Sequence, residues 1–254
     1  MSVGDDNVLP VAELTAPDRA VAEAAALTWP EVGALGRAAV LVVPLGATEQ
    51  HGPHLPLSTD TDLAVALCSG LARARPDVLV APALPYGSSG EHAGFPGTLS
   101  IGQAALELVL VELCRSATEF VDRVLLVSGH GGNAEPLRRA CALLRSEGRD
   151  VRFHLPRYPG DAHAGRSETA LQLALDPARV RLDRAEPGET RPLRDLLPAL
   201  RAGGVSAVSA NGVLGDPTGA TTDEGTVLLD LLITDLIERV CRWWPTPSPE
   251  RIRR

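Results

Sequence analysis

One segment of the chain combines carboxylates with histidines, the side chains that proteins use to hold divalent metal ions. Glu49 and His51 are two residues apart in the run Glu-Gln-His-Gly-Pro-His, and Asp60 and Asp62 follow shortly after it. Hard oxygen and borderline nitrogen ligands together suit Zn²⁺, Mn²⁺ or Fe²⁺ better than Ca²⁺ or Mg²⁺. The alternative for this segment alone is a polar loop with solvated histidines.

Two later segments add further candidates. His130 lies in the run Ser-Gly-His-Gly-Gly-Asn, between a predicted strand and a predicted helix. Glycines there let a histidine enter a crowded site, and they equally let backbone amides cradle a phosphate. His163 and Glu168 flank a predicted helix start, where an ordinary capped helix is the alternative. Five of the six histidines fall at predicted loop ends and only His154 lies in a strand, which favours a metal or acid–base site.

The elements that must position these residues alternate along the chain. Short apolar runs at 38–45, 78–81, 124–127 and 151–154 predict buried strands, and helical periodicity predicts helices at 60–74, 102–121 and 135–147. This alternation indicates an α/β fold with a mostly parallel sheet. Because ligands bind outside the carboxyl ends of parallel strands, the histidine segments stand where a site is expected.

The second half of the chain is less regular. Residues 166–175 and 223–244 predict helices, whereas the prolines and glycines of 183–222 predict an extended loop or a subunit-contact region. Because neither a repeat nor a linker is evident, we expect one domain over residues 1–254.

Composition excludes several classes of function. The net charge is −8 and no basic patch is present, which argues against nucleic-acid binding. All 24 basic residues are arginine, so Schiff-base and P-loop lysine chemistry are excluded. No apolar run is long enough to span a membrane, the N-terminus is acidic where a signal peptide is basic, and the four cysteines form no CxxC pair. We therefore expect a cytoplasmic protein with reduced cysteines.

The combination of these motifs resembles the creatininase family of metal-dependent amidohydrolases over about residues 28–240. The resemblance rests on the runs 49–56 and 129–133, on Asp60, and on His163 with Glu168 and Thr169. It implies a three-layer α/β/α sandwich with a mostly parallel central sheet, a dinuclear metal site and hydrolysis of an amide C–N bond.

The runs 86–92, 95–102, 203–209 and 212–217 resemble the mycofactocin-system branch of that family more narrowly. Members of this branch are peptidases that act on the modified precursor peptide of the redox cofactor mycofactocin. They release its cross-linked, decarboxylated C-terminal Val-Tyr unit. The resemblance also implies a closed homo-oligomer, often a hexamer.

The family motifs assign roles to individual residues. Glu49, Asp60 and His130 match the ligands of one metal ion, and His51, Asp60 and Glu168 match those of the other, so Asp60 bridges two ions of Zn, Fe or Mn. Composition alone leaves Asp62 open for the bridging role; the spacing from Glu49 favours Asp60. His163 matches a histidine near the scissile bond, a candidate proton donor to the leaving amine.

One departure from the family pattern concerns substrate choice. Creatininase itself has a glutamate where this chain has Gly132, which removes a carboxylate and makes creatinine an unsuitable substrate. Glu91, His92 and Tyr86 are interpreted as substrate-pocket residues, with a purely structural loop as the alternative. Two other functions stay open: hydrolysis of a small cyclic amide or formamide, and a phosphate- or nucleotide-binding module built on the glycine turn.

Overall fold

The computed structural model describes residues 21–245, so the acidic N-terminal segment lies outside the described residues. Its sheet consists of β1 (Val40–Leu45), β2 (Val78–Val80), β3 (Arg123–Ser128) and β4 (Asp150–His154). The strand order is β2-β1-β3-β4, and every neighbouring pair is parallel. Each predicted strand is confirmed to within two residues at either end.

Seven α-helices accompany the sheet within residues 21–245. They are α1 (Trp29–Ala34), α2 (Thr59–Ala74), α3 (Gly102–Ala117), α4 (Ala134–Ser146), α5 (Arg166–Leu175), α6 (Leu193–Gly203) and α7 (Thr222–Trp243). All five predicted helices are present. Helix α3 ends at Ala117 and not at the predicted residue 121, because the chain turns at Thr118 to enter β3. The Thr118 hydroxyl donates to the Cys114 carbonyl in this turn.

Alternate residues of the strands face opposite layers of helices. One core joins Leu41 and Val43 of β1 to α3 and α4, and the other joins Val40 and Val42 to α2, α5 and α7. These residues are buried on both faces of the sheet, which explains why β1 is apolar without alternation. The predicted three-layer α/β/α sandwich is confirmed.

The region 183–222 differs from the sequence-based expectation. It contains α6, so the prediction of an extended loop is wrong for residues 193–203. The leucines of α6 are spaced to lie on one face of a helix, and Leu196 is buried. The burial of this face stabilises the helix more than Pro198 destabilises it by lacking a backbone N–H. Cys68, Cys114, Cys141 and Cys241 are free. No helix in the described residues is long and apolar enough to cross a membrane.

Candidate metal centre

The candidate ligands meet at the carboxyl edge of the sheet. Glu49 and His51 follow β1, the segment holding Glu91 and His92 follows β2, His130 follows β3, and His163 follows β4. All six histidines of the chain are buried, so the alternative of a polar loop with solvated histidines is wrong. The parallel sheet thus gathers residues that are far apart in the sequence.

Asp60, in the first turn of α2, lies between two imidazoles. Its Oδ1 is 3.3 Å from His51 Nε2, and its Oδ2 is 3.2 Å from His130 Nδ1. Glu49 Oε2 is 3.3 Å from His130 Nε2. Glu49, Asp60 and His130 therefore form one compact group with the spacing that a metal ion needs.

A second group lies on the other side of Asp60. Glu168, on α5, places its Oε2 3.9 Å from His51 Nε2. His163 belongs to this group as well, because ligand atoms of His51, His163 and Glu168 all lie within 4.8 Å of one another. A third group with the same property contains Glu49, His92 and His163.

The carboxylates and imidazoles of the cluster shift the pKa values of one another. Burial raises the pKa of Glu49 to about 8, and the neighbouring Asp60 carboxylate adds to this. Burial alone would lower the pKa of His51 and His130, but Asp60 raises both to about 10. The pKa of Asp60 is well below its usual value, in spite of its burial, because both imidazoles favour its charge. Such mutual stabilisation is typical of a site built to hold cations among carboxylates.

The donor set fits divalent metal ions. Both carboxylate oxygens of Glu49, His51 Nε2 and Asp60 Oδ2 are buried and make no hydrogen bond within residues 21–245. Buried polar atoms are normally paired, so a group of four orphaned nitrogen and oxygen acceptors calls for a cation. Its mixture of imidazole and carboxylate suits Zn²⁺, Mn²⁺ or Fe²⁺.

Asp62 belongs to a different network. Its Oδ2 accepts from Arg179 Nη1 at 2.8 Å, from Ser58 Oγ at 2.9 Å and from Gln172 Nε2 at 3.2 Å. This oxygen is therefore engaged outside the cluster, and Asp62 lies two residues along α2 from Asp60, on a different face of the helix. Of the two aspartates that composition left open, only Asp60 lies between the imidazoles.

Gly132 leaves space that another carboxylate fills. A Cβ at this position would lie 2.3 Å from His130 Nε2 and 2.6 Å from Glu91 Oε1. Glu91 Oε1 is itself 3.7 Å from His130 Nε2, and its side chain is 40% exposed. Glu91 is thus the carboxylate at the solvent side of the cluster, His92 is buried within it, and Tyr86 is exposed beside the same loop.

The glycine turn after β3 is not arranged as a phosphate cradle. His130 faces Glu49, Asp60 and Glu91, so an anion here would meet three carboxylates. Asn133 instead ties three loops together: its Nδ2 donates to the Gly46 carbonyl and its Oδ1 accepts from the Ser88 amide. These contacts argue against the phosphate- or nucleotide-binding alternative, which the structure does not favour.

Two contacts of Glu168 were not predicted. Its Oε1 accepts from the Tyr158 hydroxyl at 3.2 Å, and its Oε2 accepts from the Ala164 amide at 2.6 Å. Ala164 has a φ of 52°, which is uncommon for a residue other than glycine. The position of Tyr158 just beyond β4 is the only sequence signal that marks it, because neither contact follows from a motif.

Comparison with known proteins identifies relatives along nearly the whole chain. The model of the creatininase family, described as creatinine amidohydrolase, matches residues 25–240. The mycofactocin precursor peptide peptidase of Mycolicibacterium smegmatis is 50% identical over 212 residues, covering 81% of this chain and 86% of that protein. The protein of the same name from Mycobacterium tuberculosis is 48% identical over 238 residues, covering 86% and 95%. The creatinine amidohydrolase of Pseudomonas putida is 31% identical over 254 residues, covering 86% and 96%.

Solved structures share the fold. A crystal structure of creatinine amidohydrolase (creatininase) superposes with a TM-score of 0.73 at 29% identity, covering 91% of this chain and all of that one. A structure titled "Creatininase Mn" has a TM-score of 0.72 at 28% identity, covering 89% and 100%. Another of these structures is titled as a Zn–Zn type.

Proposed function

The chain belongs to the creatininase family and is a metal-dependent hydrolase of C–N bonds, and from this premise we propose that it is a peptidase acting on the modified mycofactocin precursor peptide. It releases the cross-linked C-terminal Val-Tyr unit of that peptide. The observation that carries the proposal is the identity of about half of the aligned residues to those of relatives named as such peptidases.

The proposal assigns the metal ligands as follows. Glu49, Asp60 and His130 hold one divalent ion, and His51, Asp60 and Glu168 hold a second, with Zn, Mn or Fe as the candidates. Such ions, when bound, lower the pKa of water and polarise a carbonyl oxygen. The support is the group of Glu49, Asp60 and His130, the approach of His51 to both Asp60 and Glu168, and the orphaned atoms among these residues. Tyr158 and the Ala164 amide orient Glu168 from behind.

His163 is proposed as the group that moves the proton. It is buried, and its Nδ1 lies 3.8 Å from Glu49 Oε1. Its ring lies between those of His51 and His92, with centroids 4.3 Å apart and the planes tilted by 43° and 45°. Burial holds its pKa well below the usual range, so it is neutral and able to accept a proton from the attacking water. The same proton then passes to the leaving amine.

The substrate is proposed to enter beside Glu91. A cavity of about 490 Å³ adjoins this residue and is lined by Ala93 and by the end of α6, including Leu200. This volume is in the range that holds small ligands, and Ala93 and Leu200 give the cavity an apolar part beside the charged Glu91 and Arg201. Glu91, His92 and Tyr86 are the substrate-binding candidates.

The decisive experiment compares two peptides at matched metal loading. We expect kcat/KM to be much higher for the modified precursor than for the unmodified one, because modification removes a charge and reduces the entropy lost on binding. The products are identified by mass spectrometry, with the Asp60→Ala variant as the inactive control. Equal kcat/KM values, or turnover of small lactams and formamides instead, would contradict the proposal.

We also propose that the protein forms a homo-oligomer, for example a hexamer, and that it is located in the cytoplasm. Val227 and Leu231 form an exposed apolar pair on α7, each 62% exposed, which supports burial against another subunit. The free cysteines are in keeping with a reducing compartment. Sedimentation analysis of the wild type against Val227→Ser tests the assembly, and a monomeric wild type would contradict it.

A further inference from the structure

Gln50, between the proposed ligands Glu49 and His51, has a buried side chain with a fixed orientation. Its Oε1 accepts from the Gly52 amide at 2.9 Å, which identifies the other end as the amide nitrogen. That nitrogen lies 3.0 Å from the Gly212 carbonyl and 2.8 Å from His92 Nδ1. Since an amide NH₂ has two hydrogens, these two acceptors use both of them.

These contacts determine where the proton of His92 lies. Because Gln50 donates to His92 Nδ1, that nitrogen carries a lone pair and the ring proton is on Nε2. His92 Nε2 is 3.4 Å from Glu49 Oε1, an oxygen that makes no hydrogen bond in residues 21–245. His92 therefore presents an N–H to the centre of the site.

His163 presents a lone pair, and not an N–H, to the centre of the site. Its Nε2 lies 2.8 Å from the Gln50 main-chain carbonyl, which can only accept, so Nε2 carries the proton and Nδ1 the lone pair. The 3.1 Å separation between His163 Nε2 and Gln50 Nε2 is then a contact between two donors. His163 Nδ1 is 3.8 Å from the same Glu49 Oε1 that His92 faces.

We propose that Gln50 is a positioning residue that makes His92 a hydrogen-bond donor and His163 a proton acceptor at one site. This inference rests on the proposed function and extends it to the division of labour between the two imidazoles. It also excludes His92 Nε2 as a metal ligand, because a nitrogen that carries a proton cannot bind a metal ion. The group of Glu49, His92 and His163 is therefore not a third metal site.

The two imidazoles then serve different atoms of the scissile amide. His163 Nδ1 takes a proton from water as the water oxygen bonds to the carbonyl carbon, and His92 Nε2–H donates to the carbonyl oxygen as it gains negative charge. When the C–N bond breaks, the proton on His163 Nδ1 moves to the leaving nitrogen. One amide and one water give one carboxylic acid and one amine, so the step balances.

Gly212 makes this arrangement possible from a distant part of the chain. Its φ is 81°, and a Cβ there would lie 1.9 Å from Gln50 Oε1. A side chain at residue 212 would therefore push the amide away from His92. This gives the glycine-rich segment around residue 212 a function that its composition did not reveal.

The test is the ring tautomer of His92, read by ¹⁵N NMR of histidine-labelled, zinc-loaded protein. The chain has only six histidines, and the His92→Phe variant identifies the signal. We expect the Nε2–H form in the wild type. In Gln50→Glu, the carboxylate accepts from Nδ1, so His92 changes to the Nδ1–H form. Loss of this donor should lower kcat about 10²–10³-fold with little change in KM.

Gln103→Glu, on the exposed part of α3, is the matched control and should leave both readouts unchanged. Gly212→Ala keeps the amide but displaces it, and is the second variant should Gln50→Glu fail to fold. An Nδ1–H tautomer in the wild type, or an unchanged tautomer in Gln50→Glu, would overturn the inference. The expected tautomers without peptide cleavage would instead overturn only the proposed function.

Discussion

The carboxylate of Asp60 is shared by both halves of the proposed centre, and this sharing can be tested directly. We expect Asp60→Ala to lose both metal ions and all measurable turnover, because each oxygen faces a different imidazole. Metal content by plasma mass spectrometry and peptide turnover provide the two measurements.

Asp62→Ala is the matched control for this prediction. Its carboxylate is engaged by Arg179, Ser58 and Gln172, so the variant should keep its metal ions. Two tightly bound ions in Asp60→Ala, or their loss from Asp62→Ala alone, would transfer the bridging role to Asp62.

His163 should be needed for turnover and not for metal binding. We expect His163→Ala to retain its metal ions and to lose about 10²–10⁴-fold in kcat, the usual cost of removing a general acid–base group. Turnover at matched metal content is the measurement. A variant as active as the wild type would mean that another group protonates the leaving amine.

The motifs located Glu49, Asp60 and His130 because their types and spacing are recognisable within short runs. Gln50 lies inside one of these runs, yet its role depends on Gly212, with which it shares no motif. Tyr158 is similar, because its contact with Glu168 depends on how the chain turns after β4. Ligand chemistry is thus local in the sequence, whereas ligand orientation is set by the fold.

The burial of His154, at the end of β4, should make the free energy of unfolding depend on pH. It is 3% exposed, and burial lowers its pKa to about 4, with opposing contributions from Asp235 and Arg239 of α7. The unfolded chain takes up a proton below about pH 6.5, whereas the folded chain resists it until about pH 4. The free energy of unfolding should therefore fall as the pH drops through this window, by at most about 1.4 kcal/mol per pH unit.

The His154→Phe variant isolates this contribution from those of the other histidines. We expect the difference in unfolding free energy between the variant and the wild type to change between about pH 6.5 and 4, and to be constant above about pH 7. Denaturant titrations at several pH values provide the measurement. A difference that does not vary with pH would show that the pKa of His154 is the same in the folded and unfolded states.

Elements were predicted well where burial determines their pattern. Strands β1, β2 and β3 are apolar runs because helices cover both faces of the sheet, whereas β4, at the edge, is only partly buried. Helix α6 was not predicted because a proline such as Pro198, read from the local sequence alone, indicates the end of a helix. Its buried Leu196 packs with Val205 and Leu214, and such contacts lie beyond the reach of periodicity.

For the whole molecule, bound metal ions should contribute to the stability of the fold. Their proposed ligands come from the loops after two strands and from two helices, so the unfolded chain offers no comparable site. At a free ion concentration of 100 times Kd we expect about 2.7 kcal/mol of stabilisation. For a domain of this size this corresponds to a rise of about 5–10 °C in Tm.

Thermal unfolding with and without a chelator measures this effect, and Asp60→Ala provides the control that should not respond. A Tm independent of ion concentration in the wild type would contradict the proposed linkage.

The contact between Gln50 and Gly212 also has a consequence in time. The two residues are separated by 162 positions, so ribosomes working at roughly 5–20 residues per second need about 8–32 s to make the second after the first. Throughout that interval the nascent chain already contains Glu49, His51 and Asp60 but has nothing to fix the imidazoles beside them. The orientation that we propose for the Gln50 amide is therefore completed only late in synthesis.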